Sequence, residues 1–222
     1  MVDKSKTDKE LGHRVHEHLL KLGVETPMLN REAKPHDFSV NSIAENMAKI
    51  MSILGLSLED DSLEKTPLRV AKMLVDETCY GLDYNNFPKI TTFENKMNMD
   101  TMLIERHIKV FSLCEHHFQN IIGEAAVAYV PKDRIVGLSK INRLVDFFCR
   151  RPQVQERLTE QIFHALSYIL DTDNVAVTIR AEHLCVKVRG VQDINSDTLT
   201  TKLGGNFYSG NLRNEYYQSL KL

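Results

Sequence analysis

The sequence predicts an α+β fold: a helical N-terminal region over residues 1–98, then a β-β-α-α-β-β core over 99–222 with antiparallel sheet. Three observations lead there. Apolar residues recur at helical spacing over roughly the first ninety residues. Around Lys89 that period gives way to runs rich in β-branched and apolar side chains. Further on, Val175, Val177, Ile179 and Ala181 alternate strictly with Ala176, Thr178, Arg180 and Glu182, the period of a half-buried strand.

The elements follow in order. Leu11, Val15, Leu19 and Leu20 share one helical face, and Gly23 ends that helix. A polar segment with Pro27 and Pro35 comes next. Ser39 is expected to open a second helix, with Ile43, Met47, Ile50, Met51 and Leu54 inward and Gly55 at its close. Thr66-Pro67 offers an N-cap and first turn for a third helix. Val70, Met73 and Leu74 form its apolar stripe. Residues 102–113 and 121–130 read as two strands. Ile141, Leu144, Val145 and Phe148 mark one core helix, which Ser139 is placed to cap; Val154, Leu158, Ile162, Leu166 and Ile169 mark another. The alternating strand begins after Asp173-Asn174, and residues 196–207, with Thr198, Thr200 and Thr201, read as the last strand.

Composition narrows the class. The 222 residues are 42% hydrophobic and 26% charged, ordinary for a globular chain with a real core. With 28 basic against 30 acidic side chains, no basic excess points to nucleic acid. No apolar span suits a membrane, and the opening Met1-Val2-Asp3-Lys4-Ser5-Lys6 lacks the apolar centre of a secretory signal. A cytoplasmic location is therefore expected. There, four cysteines are reduced, metal-bound or buried more often than bridged. They stand at nearly even intervals, but their flanks share nothing, so no repeat is read from them.

The chemistry concentrates in Cys114-Glu115-His116-His117 and, far downstream, His183-Leu184-Cys185. Cys114 and His117 stand at C-x-x-H spacing, suited to gripping one ion from a short turn. Side chains of adjacent residues diverge, so one histidine of the pair is left for proton transfer. With Cys185 the set becomes two sulfurs and one nitrogen. A zinc with three protein ligands keeps a fourth position for water, the mark of a catalytic site; a fourth ligand from His116 or His183 would close it into a structural one. Cys79 and Cys149 lie in apolar helical contexts and read as buried. At period two, the strand's inward face continues as His183, Cys185, Lys187 and Arg189, so that face passes from apolar to chemical: either a bulge flips the register there or the strand runs out of the core into a site.

Cations surround this set. Lys140 and Arg143 share a helix face beside Ser139, and Lys187 and Arg189 share the strand face; together they suit a polyphosphate. Arg69 and Lys72 would be ordinary surface residues on their own. No glycine-rich phosphate loop is present, so a triphosphate must be held by side chains. The Gln155-Glu156 pair opens a helix, where a carboxylate is favoured by the macrodipole whatever its role.

These residues carry a resemblance. Stretches 66–73, 114–118, 137–143, 151–159 and 183–190, in that order, closely resemble the bacterial GTP cyclohydrolase I family; the second reads Cys114-Glu115-His116-His117-Phe118 and the last ends Val188-Arg189-Gly190. Leu68 and Leu184 depart from common family residues, and 1–38 match only loosely, so nothing is carried over there. The resemblance implies the tunnelling fold, in which β-β-α-α-β-β subunits close a shared antiparallel barrel, and a homodecamer with sites at subunit junctions. It implies Zn2+ on Cys114, His117 and Cys185, with His116 and His183 as acid–base histidines. Glu156, helped by Gln155, resembles the guanine anchor. Ser139, Lys140, Arg143 and Arg189 resemble the triphosphate grip. Arg69 and Lys72 resemble a contribution from a neighbouring subunit.

The implied reaction opens the imidazole ring of GTP, releases C8 as formate and rearranges the remainder to 7,8-dihydroneopterin triphosphate, the first step of folate and pterin synthesis. Two other readings compete. A zinc deaminase is disfavoured because the H-x-E…P-C-x-x-C pattern is absent. A non-catalytic scaffold with a closed zinc site requires four protein ligands.

Overall fold

The computed structural model describes residues 2–29 and 36–220; Pro35 of the polar segment lies outside them. Helix α1 (Lys9–Lys21) starts where the Asp8 carboxylate accepts from the Leu11 N–H. It stops at Gly23, whose φ of +69° lets its own N–H and that of Val24 turn back onto Leu20 and Leu19 carbonyls. Leu11, Val15 and Leu19 are buried, but Leu20 is 54% exposed. Each residue turns about 100° from the last, so Leu20 leaves the stripe that Leu19 completes.

Helix α2 (His36–Ile53) begins three residues before the expected Ser39, and α3 (Thr66–Lys72) packs beside it. Thr66 is the first helical residue of α3 rather than its cap, with Lys65 at the cap and Pro67 in the first turn. The pair buries Val40, Met51, Pro67 and Ala71. Ile50 and Leu54, expected inward, are 51% and 70% exposed, left uncovered among the described residues. Met73, expected in the α3 stripe, is likewise exposed.

The strands are β1 (Thr92–Glu94), β2 (Leu103–Cys114), β3 (Asn120–Tyr129), β4 (Arg134–Val136), β5 (Pro152–Gln153), β6 (Val175–His183) and β7 (Thr198–Leu203). Helices α4 (Leu138–Cys149) and α5 (Gln155–Leu170) lie between β4 and β6, a short helical turn α6 (Leu184–Lys187) follows β6, and α7 (Gly210–Ser219) follows β7. The main sheet has the order β5-β2-β3-β6-β7, antiparallel throughout except for the β5–β2 pair. The α+β class and the β-β-α-α-β-β order are those expected; β1, β4 and β5 are short additions. A side chain at Gly123 would collide with the Arg180 carbonyl and Ala181 of β6, so that position admits only glycine.

One face of the sheet packs on α1, α4 and α5, where Val110, Ile121, Val127, Val177 and Ile179 meet Val15, Leu144, Phe148, Leu158 and Ile162. The other face is covered too. Ala126, Ala128 and Ala176 lie under Phe207, Tyr216 and Leu220. Ala176 and Thr178, expected on the solvent face, are buried for this reason, and the Tyr216 hydroxyl donates to Thr178 Oγ1 at 2.8 Å. The expected last strand is shorter than 196–207: it ends at Leu203, and a tight turn swings Phe207 into this second cluster.

A buried polar network ties the N-terminal segment to the sheet. The Arg151 guanidinium is fully enclosed, 3.2 Å from the Glu25 carboxylate, and it also donates to the Gly81 carbonyl. It lies 4.9–5.2 Å from the ring centroids of Tyr84, Phe147 and Phe148. His16 and Tyr84 hold the other Glu25 oxygen. Burial pushes the Glu25 carboxyl up, but the His16 hydrogen bond, the Arg151 charge and the Tyr84 hydroxyl outweigh it and hold it below the usual range. Among the described residues no helix is long and apolar enough to cross a membrane.

Candidate active site

Topology brings the two distant motifs together. β3 is antiparallel to both β2 and β6, so β2 and β6 run the same way and end at the same margin of the sheet. Cys114 ends β2 and His183 ends β6, where it pairs with Ile121 at the start of β3. After Cys114 a tight turn closes: the Phe118 N–H donates to the Cys114 carbonyl at 2.8 Å, and the Cys114 N–H to Gln119 at 2.7 Å. Phe118 takes a positive φ of 52°, uncommon for an aromatic residue, and its side chain is exposed. The turn is fixed from outside by the Glu115 N–H on the Gln153 carbonyl and by Arg157, whose guanidinium meets the Glu115 carboxylate at 2.6 Å.

The expected continuation of β6 through Arg189 does not form. Beyond the His183–Ile121 pair only Asn120 of β3 remains, and β7 pairs only as far as Ala181, so the unpaired chain coils into α6. The strand does run out of the core into the site, but Cys185 is delivered by the helical turn. Lys187 is also accounted for: it sits 3.0 Å from the Glu182 carboxylate and donates to the Ile194 carbonyl at 2.7 Å. It is not a free cation for phosphate.

One ligand atom each from Cys114, His117 and Cys185 lies within 4.8 Å of the others. In a tetrahedral zinc site, bonds of about 2.0–2.3 Å set ligand atoms roughly 3.5–4 Å apart, so a small contraction brings these onto one ion. The donor set also fits. Burial and the neighbouring Cys114 sulfur push the Cys185 thiol up, so two thiolates this close need a cation between them. Soft sulfur with imidazole nitrogen suits zinc better than a hard cation. Arg189 donates to His117 Nε2 at 2.7 Å, which places the expected phosphate arginine at the edge of this cluster. His116 is exposed, with Nδ1 3.9 Å from Cys114 Sγ and Nε2 3.9 Å from the Glu115 carboxylate, and its ring stands edge-on to that of His117 with centroids 6.4 Å apart.

His183 is half-buried, and its Nε2 lies 2.8 Å from Gln155 Oε1. Burial pulls its imidazole below the usual range, while the Glu156 carboxylate acts in the opposite sense. Glu156 is exposed in the first turn of α5 without a hydrogen-bond or ion-pair partner among the described residues. The Gln155 side chain, expected to help hold guanine, is buried and bonded to β6, β7 and His183.

The remaining expected ligands stand apart. Gly137 caps α4, since the helix starts at Leu138; Ser139 lies inside the first turn and makes no cap. Lys140 and Arg143 follow on α4, and Arg143 lines an open cleft with Asp76, Tyr80, Asp146 and Arg150 rather than the Cys/His cluster. Arg69 and Lys72 are exposed on α3. Cys149 is fully buried, its thiol pushed up to about 12 by burial, and Cys79 is half-buried; all four cysteines are free. Arg157 was missed in sequence because its partner lies far away in the chain, and no local pattern marks it.

Comparison with known proteins gives the family. The family model described as GTP cyclohydrolase I matches residues 43–221. The GTP cyclohydrolase 1 of Pectobacterium carotovorum is 55% identical over 208 residues, covering 93% of this chain and 94% of that protein. That of Escherichia coli is 54% identical with the same coverage, and that of Tolumonas auensis is 57% identical over 187 residues, 84% of this chain and 86% of its own. A match of this extent makes the chain an enzyme of the GTP cyclohydrolase I family.

Proposed function

We propose that this enzyme binds Zn2+ through Cys114, His117 and Cys185 and opens the imidazole ring of GTP, releasing formate and forming 7,8-dihydroneopterin triphosphate. The observation that carries the reading is the cluster of those three ligand atoms, with His116 beside it and His183 two residues before Cys185, in a chain of this family. When bound, the metal held by these residues would supply Lewis acidity that makes water nucleophilic near neutral pH. The protein's own groups do the rest. His116 and His183 take and return protons as the ring opens at C8, work suited to imidazole. Several transfers at separate atoms account for two histidines beside the ligand set.

Binding falls to charged side chains. The partnerless Glu156 carboxylate accepts from N1 and the 2-amino group of guanine, and Gln155 supports that end of the site from the protein side. Arg189, Lys140 and Arg143, with Ser139, hold the triphosphate. Arg69 and Lys72 reach it from a neighbouring copy. A homo-oligomer, a decamer by family expectation, is supported by the exposed apolar side of α2 and α3, where Ile53 is 84% exposed. A reducing cytoplasm suits a site that needs two free thiolates. The product places the enzyme at the entry to folate and pterin synthesis.

The test is direct. Purified protein incubated with GTP should release formate and develop pterin fluorescence, and a chelator should stop both. Cys185→Ser should lose bound zinc and formate release together. Ammonia in place of formate, or full activity in a zinc-free variant, would overturn the proposal.

A further inference from the structure

The hydrogen bonds around Gln155 leave one assignment for the proton on His183. Gln155 is buried at the start of α5. Its amide nitrogen lies 3.0 Å from the Ile179 carbonyl and 2.9 Å from the Thr198 carbonyl, with Thr200 Oγ1 at 3.1 Å. Carbonyl oxygens only accept, so the NH2 end of the amide belongs on that side. Oε1 is thereby turned to His183, 2.8 Å from Nε2. An amide oxygen cannot donate, so Nε2 must carry the hydrogen, and in the neutral ring Nδ1 then holds the lone pair. A flipped amide would set its oxygen against two carbonyls and lose both bonds. The backbone of Gln155 is fixed as well: its carbonyl accepts from Thr159 Oγ1 at 2.9 Å, and that hydroxyl lies 2.7 Å from Thr200 Oγ1.

We propose that Gln155 is a positioning residue that locks His183 in the Nε2–H tautomer and presents Nδ1 as the nitrogen that exchanges protons with the substrate. This rests on the acid–base role proposed above for His183. It differs from a guanine-gripping role for the Gln155 side chain, whose polar atoms are already engaged by protein. Loss of the amide frees the ring to rotate and to change tautomer, so the chemical step suffers while guanine affinity, carried by Glu156, does not.

Two measurements test it. Solid-state 15N NMR of the zinc-loaded assembly, with 15N-labelled histidine, reads the tautomer without any substrate. The His183 signals are assigned by their loss in His183→Gln. A pyrrole-type Nε2 and a pyridine-type Nδ1 are expected; the reverse pattern overturns the inference. In kinetics, Gln155→Met should lower kcat by about 10²- to 10⁴-fold with KM for GTP nearly unchanged. A raised KM at normal kcat would show a substrate contact instead and also overturn it. Should Gln155→Met fail to fold, with two carbonyls left unpartnered, the wild-type spectrum still decides. Formate release with a pyridine-type Nε2 defeats this inference alone, whereas absence of formate defeats the proposed reaction and leaves the tautomer reading to the spectrum.

Discussion

Replacing Arg151 by Met should cost this fold about 3–5 kcal/mol, the usual cost of breaking a buried ion pair from one side. The structure explains the size. Arg151 is fully enclosed, and the Glu25 side chain is only 3% exposed, so Glu25 would be left as a buried carboxylate without its cation. His16 at 2.8 Å and the Tyr84 hydroxyl remain, which argues for the lower end of the range. The Gly81 carbonyl loses its donor, and three aromatic rings lose a guanidinium about 5 Å from their centroids. Methionine refills much of the volume, so cavity formation adds little. The assay is urea unfolding at neutral pH and fixed protein concentration, for wild type, Arg151→Met, Glu25→Gln and the double variant. The double variant should recover at least about 1.5 kcal/mol relative to the sum of the single losses. A loss below about 1 kcal/mol for Arg151→Met, or strict additivity, would refute the reasoning. The consequence reaches the site: Arg151 leads into β5, which pairs with Leu113 and Cys114, and Ser112 Oγ donates to the Arg151 carbonyl at 3.1 Å. Zinc content should therefore fall in the same variant.

Two further outcomes follow from the same packing. The Glu25 carboxyl is held below the usual range in the folded protein, so its stabilisation is present above the unfolded-state value and is lost as pH falls through the folded one. Unfolding curves from neutral to acid pH should show that loss in wild type, and Glu25→Gln should flatten it; an unchanged slope would exclude Glu25 as a source. Phe207→Ala, which empties a fully buried position between α7 and the sheet, should cost about 3–5 kcal/mol by the same assay. A cost near zero would mean that the second face of the sheet is not a true core.

Period and punctuation made most of the fold legible. Val175 to Ala181 announced a strand, Gly23 and Gly55 marked helix ends, and the apolar stripes of α4 and α5 held where expected. What failed had physical reasons. Helix α7 buries only Tyr216 along its own length, so no amphipathic stripe announced it, and the burial of Ala176 and Thr178 followed unseen. Ile50 and Leu54 carry a helical pattern that is real but finds no cover among the described residues. At the site, the spacing of Cys114 and His117 was readable because it is local. The parity extrapolated through Lys187 was not, because a strand persists only while a neighbour supplies its hydrogen bonds. Gln155 could not be read as a partner of His183 at all, since the ladder that joins them runs through β6 and β7.

The margin of the sheet carries a last consequence. β7 closes the strand order, and its outer edge has no partner among the described residues. Such an edge recruits another strand readily. The same strand offers Thr198 and Thr200 to the amide that holds His183. Anything that docks along β7 would therefore reach His183 through two hydrogen bonds in series, with no hinge or moving domain. A copy paired along that edge would hold Thr198 and Thr200 more rigidly, and through them the Gln155 amide. If copies pair there, specific activity should fall on dilution by mass action, and a flat specific activity across a dilution series that separates them would disprove the link.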